Sequence, residues 1–415
     1  MPIIEICPQD SCTGCLACYN ICPVSAIQIK YSKEGFLFPT INENICISCG
    51  VCIETCPSLK QVDIHKSSPD TYAAWSRNKK ILLESSSGGV FSEIANYTIS
   101  RGGVVYGACF TDNWTVEHKR IEDIDSLSCL RGSKYVQSNI GHCLSLIKED
   151  LLNETLVLFT GTPCQVAGLY AFLKSVRYDK SKLITIDLVC HGVPSSKFFK
   201  DYIHYLEDKR NCSISQYKFR DKKWSWFRFN TKAIYSDGRT YYGTWEGDPF
   251  MRGFLRDLCL RKSCYSCRFA NKNRLGDFTL CDYWGYNKEV GERDNKDFGV
   301  SLVLVHTINA KLIWDEIKPQ LFCYSRDFED SIKSNPAFHK PFPLPAISPQ
   351  FWSDYDDLSF ANLVEKYCYS EPIPRLIARK YKYGRKIDRI IKFGGTIKRK
   401  ISGTIFNSKL LRRKH

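Results

Sequence analysis

The chain has 415 residues, 43% hydrophobic and 25% charged, which is enough for a substantial core and too long for one small domain. Its net charge of +15 resembles a nucleic-acid signature until it is located: residues 375–415 carry fifteen Lys or Arg and one acid, Asp388, and no base-reading module accompanies them. Twenty-one cysteines, with no export leader and no apolar run of ~18 residues, are expected in a reducing cytoplasm, as metal or redox ligands rather than disulfides.

The first sixty residues contain an internal duplication. Cys12-Thr-Gly-Cys15-Leu-Ala-Cys18-Tyr-Asn-Ile-Cys22-Pro23 is echoed by Cys46-Ile-Ser-Cys49-Gly-Val-Cys52-Ile-Glu-Thr-Cys56-Pro57. The spacing C-x2-C-x2-C-x3-C-P, used twice, is the run of a ferredoxin holding two [4Fe–4S] clusters, in which the fourth cysteine of each run ligates the other cluster. One cluster therefore takes Cys12, Cys15, Cys18 and Cys56, and the other Cys46, Cys49, Cys52 and Cys22. Gly14, Ala17 and Gly50 are small enough for backbone N–H groups to approach the sulfurs. Zinc sites also use C-x2-C, but seldom stack three such steps before C-x3-C-P. Cys7 lies outside both runs and reads as a bystander.

Residues 61–70 are polar, end in Ser-Pro-Asp and read as a linker. Strands are expected at Val104–Phe110, Thr155–Gly161, Leu183–Cys190 and Ser301–Thr307. Helices are expected at Gly88–Ser100, Ile140–Leu152, Pro163–Leu173 and Ser195–Leu206. Apolar runs alternating with helices imply an α/β body. Tyr217–Arg220 and Phe227–Tyr235, followed by Ser236-Asp-Gly-Arg239, suggest an antiparallel hairpin inserted in it.

Two motifs in the body carry chemistry. Cys259, Cys264 and Cys267 form C-x4-C-x2-C, three ligands of a third [4Fe–4S] cluster. The fourth comes from Cys164, Cys190 or Cys281; Cys164 and Cys190 follow expected strand ends, where an open α/β sheet gathers its ligands. A zinc site held by four thiolates is the alternative. Ser85-Ser-Ser-Gly88-Gly89 leads into a helix, and its free N–H groups would suit an anion such as a flavin pyrophosphate, although a plain N-cap is the default reading of such a loop taken alone. Neither G-x-G-x-x-G after a strand nor G-x-x-x-x-G-K-[ST] is present. Clusters pass single electrons and organic substrates usually take two, so a flavin that converts between them is expected.

Taken together, Glu84–Phe91, Phe159–Gly168, Asp187–Ser195, Cys264–Cys267 and Gly276–Gly285 make residues 72–345 resemble the family of coenzyme F420 hydrogenase/dehydrogenase beta subunits. Relatives that reduce a chlorophyll hydroxymethyl group look similar in architecture. The resemblance implies FAD, a cluster beside it, and electron exchange with a deazaflavin, ferredoxin or an organic substrate. It implies that Ser86, Ser87, Gly88 and Gly89 lie near the flavin phosphates. It also implies that Cys259, Cys264 and Cys267 hold the flavin-proximal cluster, and that Asp282, Trp284 and Gly285 line the same cavity. Cys281 departs from the Gly or Ala expected there. The expected architecture is a multidomain α+β and α/β chain. Residues 1–60 form the 2[4Fe–4S] ferredoxin-like domain, 71–150 and 151–345 the two parts of an α/β flavin-binding body with the hairpin insertion, and 346–415 an irregular segment and a basic helical tail.

His191, directly after Cys190, is a candidate general acid, with a strand-end structural role as the favoured alternative. Asp187 and Asp282 carry the same two readings. Lys222, Lys223, Trp224 and Trp226 face either a substrate or solvent. In the tail, Leu376, Ile377, Tyr381, Ile387, Ile390 and Ile391 fall near helical spacing among basic residues, suiting an anionic membrane surface, an acidic donor such as ferredoxin, or solvent alone. The function expected is electron transfer from the ferredoxin clusters through a third cluster to FAD and a small-molecule substrate. The alternatives are an electron-transfer subunit serving a catalytic partner, and a zinc-bearing scaffold with no redox role.

Overall fold

The structure, a computed structural model, describes residues 5–62 and 68–369, apart from 288, 290, 291, 294 and 296. The basic tail lies outside the described residues.

The first module contains α1 (Ala17–Ile21), β1 (Ile27–Tyr31), β2 (Leu37–Ile41) and α2 (Val51–Glu54). β1 and β2 pair antiparallel from Ile27↔Ile41 to Tyr31↔Leu37. The duplication extends to backbone conformation. Gly14 and Leu16 have φ of 71° and 57°, and Ser48 and Gly50, at the same places in the second run, have 56° and 76°. Alternating left-handed residues curl each loop so that successive N–H groups turn inward.

The body is built on one mixed sheet. Its strands are β3 (Asp70–Ser76), β4 (Val104–Phe110), β5 (Val116–Ile121), β6 (Ser138–Asn139), β7 (Val157–Gly161), β8 (Leu183–Leu188), β12 (Phe278–Asp282), β13 (Ser301–Val305) and β14 (Leu321–Ser325). A second sheet holds β9 (Ile214–Asp221), β10 (Asn230–Tyr235) and β11 (Thr240–Thr244). The large sheet runs β14-β3-β13-β12-β8-β7-β4-β5-β6. Its centre, β12-β8-β7-β4, is parallel, so the C-terminal ends of β7, β8 and β12 open on one edge. Strands from both halves of residues 71–345 interleave in this sheet.

The helices are α3 (Lys79–Glu84), α4 (Val90–Ser100), α5 (Leu127–Leu130), α6 (Cys143–Leu152), α7 (Pro163–Leu173), α8 (Ser196–Asp208), α9 (Pro249–Leu255), α10 (Ile308–Ile317), α11 (Phe328–Ile332), α12 (Ser348–Ser353) and α13 (Phe360–Cys368). Strand alternation sorts the core between two faces. Val104, Tyr106, Val157 and Phe159 pack with α6 and α7. Val105, Leu158, Ile184 and Ile186 pack with α4 and α10. Cys15, Leu16, Ala17 and Leu37 of the first module join the α6–α7 cluster, so that module completes a core of the body.

Expected and observed bounds coincide for Val104–Phe110 and Pro163–Leu173. Three expectations change. β3 begins at Asp70, inside the expected linker. The expected hairpin is a three-stranded antiparallel sheet, because Thr240–Thr244 pairs beyond the Ser236–Arg239 turn. The segment expected to be irregular contains α12 and α13, whose Phe351, Leu363, Val364 and Tyr367 enter the aromatic core of α8 and α9. Their polar and aromatic composition hid an amphipathic pattern that only a partner surface makes stable.

One buried titratable group under the site gives a testable pH dependence. His118 is buried, with Nδ1 2.7 Å from Ser138 Oγ and Nε2 3.0 Å from the Thr160 carbonyl. Burial, opposed by the Thr160 carbonyl, holds its pKa down to about 4. In the unfolded chain it titrates near 6.5. Its contribution is therefore complete above about pH 6.5 and is lost as pH falls toward about 4, by about 1.4 kcal/mol per pH unit. Denaturant midpoints between pH 4.5 and 7 should show this slope in the wild type, and His118→Gln should flatten it.

Candidate functional site

In the first module the sulfurs gather in two sets. Cys18 feels the charge of Cys15, Cys12 and Cys56, and one cavity is lined by all four. Cys52 feels Cys49 and Cys22, with Cys46 half-buried in the same loop. Backbone N–H groups point at the sulfurs, from Gly14 to Cys12, Ala17 to Cys15 and Tyr19 to Cys18. Cys7 is no distant bystander: its thiol meets Cys12 and Cys56, and its hydrogen bonds lower both below the usual thiol value. Cys49 is exposed, and Ile47 beside it is 61% exposed.

The sheet edge gathers a third set. Cys164 is the second residue of α7, placed by a capping box of Thr162 and Gln165 with Pro163 at the first turn. Cys190 follows β8. Cys190 feels Cys264, Cys164 and Cys267, and Cys264 feels Cys267 and Cys164. The Val193 N–H donates to Cys264 Sγ at 3.4 Å. Gly192, with φ of 139°, sits where a Cβ would lie 2.8 Å from Leu260 and 3.4 Å from Cys264, so only glycine lets the Cys190 loop close on Cys264. Burial foremost keeps these thiols protonated when bare, pushing Cys164 to about 11 and Cys264 to about 12.

Two expected ligands fall elsewhere. Cys259 is fully buried in the aromatic core of α8, α9 and α13, and its charged neighbours are Cys368 and Asp257, not the other thiols. Cys281 lies in another apolar cluster, 3.7 Å from Asn335 Nδ2. His191 is held by Asp257 at 2.6 Å and stacks on Phe342 at 3.9 Å. Asp187 accepts from Arg274, Leu275, Gly276 and Thr279. These contacts tie down the Cys190 and Cys267 loops.

The first module touches the third set directly. A Cβ on Gly168 of α7 would lie 2.9 Å from Cys15 Cβ and 3.1 Å from its sulfur. Cys15 in turn feels Cys164. Among the described residues, no three His, Cys, Asp or Glu side chains converge as a single metal ion requires.

The Ser-Gly loop and the Asp-Tyr-Trp-Gly segment are linked by residues of β9 and the loop after it. Ser86 Oγ accepts from the Ser133 N–H at 2.7 Å. Ser87 Oγ donates to the Val300 carbonyl, and the Gly88 N–H donates to Ser301 Oγ, each at 3.0 Å. Gly89, with φ of 86°, starts α4. Lys222 Nζ donates to the carbonyls of Leu82, Ser87 and Phe298, and burial pushes it down to about 7. Asp282 pairs with Arg220 at 2.7 Å and accepts from Trp226 Nε1 at 2.8 Å. Trp226 stacks on Trp284 with centroids 5.1 Å apart. Gly285 packs on Ser334. Trp224 is exposed and Lys223 lies over Tyr242. Arg220 escapes a sequence reading because one arginine in a strand carries no motif.

Two interlocked cysteine loops joined to an α/β body, with four more thiols at its sheet edge, define an iron–sulfur protein of the oxidoreductase class. The chain belongs to the family of coenzyme F420 hydrogenase/dehydrogenase beta subunits. The N-terminal family model matches residues 71–145 and the C-terminal one residues 154–331, preceded by a 4Fe-4S dicluster domain at 11–59. The chain is 22% identical over 314 residues to one of the subunits of the F(420)H(2) dehydrogenase of Methanosarcina mazei, covering 70% of this chain and 83% of that one. An uncharacterized protein of Methanocaldococcus jannaschii is 25% identical over 201 residues, 41% of this chain and 55% of its own. A chain of the F420-reducing [NiFe] hydrogenase complex from Methanosarcina barkeri superposes with a TM-score of 0.43 at 17% identity, covering 72% of this chain and 92% of that one. Among the described residues no helix is long and apolar enough to cross a membrane.

Proposed function

We propose that this chain is an iron–sulfur flavoprotein that exchanges electrons between a one-electron carrier and an organic substrate or deazaflavin coenzyme bound beside FAD. The observation that carries the reading is the contact of two thiol sets across Gly168, where Cys15 meets the helix bearing Cys164.

Cys12, Cys15, Cys18 and Cys56 would hold one [4Fe–4S] cluster, and Cys22, Cys46, Cys49 and Cys52 another. Cys164, Cys190, Cys264 and Cys267 would hold a third. The exposure of Cys49 makes the second set the entry point for a carrier such as ferredoxin. Ser86, Ser87, Gly88 and Gly89 would bind the flavin phosphates, and Asp282, Trp284 and Gly285 would line the cavity with Arg220. Arg220 fits such a ligand: it is buried, and its Nε has no hydrogen-bond partner among the described residues. When bound, the clusters supply one-electron transfer and FAD its conversion to two-electron chemistry. Trp226 and Trp284 exclude water, Lys222 pins the Ser87 carbonyl, and His191 orients the Cys190 loop through Asp257.

A second reading, an electron-transfer subunit serving a separate catalytic partner, is favoured by the Methanosarcina mazei relative being one subunit among others of its dehydrogenase. Purification without oxygen, followed by iron, sulfide and flavin analysis, tests the first reading. About twelve irons and one FAD per chain are expected from three cubanes. About eight irons without flavin would leave only the ferredoxin module.

A further inference from the structure

Arg261 lies between the thiol sets of the first module and the body. Its backbone belongs to the third set: its N–H donates to the Val193 carbonyl at 3.0 Å, and its carbonyl accepts from the Cys264 N–H at 2.9 Å. Its side chain crosses to the first module, where Nε donates to the Cys12 carbonyl at 2.6 Å and Nη1 to the Leu37 carbonyl at 2.8 Å. The guanidinium also lies over the Phe38 ring at 4.0 Å. Arg261 is only 1% exposed.

A buried guanidinium needs a compensating anion. Of the other buried arginines, Arg274 pairs with Asp187 and Arg220 with Asp282, while Arg252 donates to the Cys368 and Glu246 carbonyls. Among the described residues no carboxylate pairs with Arg261, and its Nη2 has no hydrogen-bond partner. Its side chain reaches the Cys12 loop and its backbone carbonyl holds the Cys264 N–H, so the ligand thiolates of the two sets are the anions within its reach.

We infer that Arg261 is a shared counter-cation, a positioning residue that holds the Cys12 cluster and the Cys164 cluster against one another and raises the reduction potential of both. This rests on the three-cluster reading above. Reduction adds one electron to an anionic cluster, and a buried cation at low effective dielectric stabilises that added charge. Net charge and hydrogen bonding around the sulfurs are the protein's means of setting cluster potentials. One cation touching both sites moves both potentials in the same direction and keeps them matched.

The test uses the full chain, purified without oxygen as wild type, Arg261→Gln, Arg261→Met and Arg261→Lys. Iron per chain is measured, and each cluster signal is followed by electron paramagnetic resonance during a redox titration. In Arg261→Gln two of the three signals should titrate lower. The reduced-to-oxidised ratio at fixed potential should fall about tenfold, which is ~59 mV for a one-electron couple. The cluster of Cys22, Cys46, Cys49 and Cys52 should not move, and Arg261→Lys should lie nearer wild type. Full iron with unchanged potentials in Arg261→Gln would overturn the proposal. Should Gln and Met both lose the third cluster while Lys keeps it, the charge is required and the proposal stands; loss in all three variants overturns it. Wild-type protein with about eight irons would instead refute the three-cluster reading itself.

Discussion

Alanine at Cys190 is expected to remove about four of twelve irons per chain and leave the two ferredoxin clusters loaded, whereas alanine at Cys259 removes none. The contrast separates ligand spacing from ligand geometry. Cys259 stands in the C-x4-C-x2-C run, but its side chain points into an aromatic core containing Phe198, Phe250 and Tyr367. Cys190 belongs to no run, yet it has Cys264, Cys164 and Cys267 around it. Cys259→Ala should cost only about 1–2 kcal/mol, a small cavity in a core, and thermal unfolding would read this. Iron and sulfide analysis with the cluster absorption decides the assignment. Loss of four irons from Cys259→Ala with none from Cys190→Ala would reverse it.

Asparagine at Asp187 should destabilise the body by about 3–5 kcal/mol, through the loss of one partner of a buried ion pair. Asp187 and Arg274 are 0% and 1% exposed at their side chains, 2.8 Å apart. One carboxylate oxygen accepts from Arg274 and Thr279, and the other from the N–H groups of Leu275 and Gly276. An asparagine amide has one acceptor oxygen, so its NH2 group must face either the guanidinium or two backbone donors. Burial by itself would raise the Asp187 pKa, but Arg274 and the Gly276 and Thr279 hydrogen bonds outweigh it and hold it below the usual carboxylate value. The stabilisation is therefore present above about pH 3.9 and lost only as pH falls through the lower folded value. Asp187 itself does not titrate between pH 5 and 8, so any change in the Asp187→Asn deficit across that range reports His306, whose charge also acts on Asp187. Because Arg274 also acts on Cys267, loading of the third cluster should fall with stability. Asp187→Leu with Arg274→Met should recover part of the loss, since apolar replacement of both partners leaves no stranded charge.

The duplicated cysteine runs determine their chemistry locally. Ligands three residues apart on one curled loop meet the same object, so spacing alone identifies a two-cluster module, and the family resemblance follows from contiguous segments. The parallel strands around Phe159 and Ile186 and the helix after Pro163 were legible because apolar runs and capping residues act within a few neighbours. Tertiary structure decided what depends on distant segments. It brings Cys164 and Cys190 to Cys264, turns Cys259 away, and makes α12 and α13 helical against a partner surface. It also sets Arg261 of the body on Cys12 of the module, 249 residues away. Spacing along the chain fixes which thiols share a loop. Which loops share a site is decided by the order of strands in the sheet and by how closely glycines such as Gly168 and Gly192 let them approach.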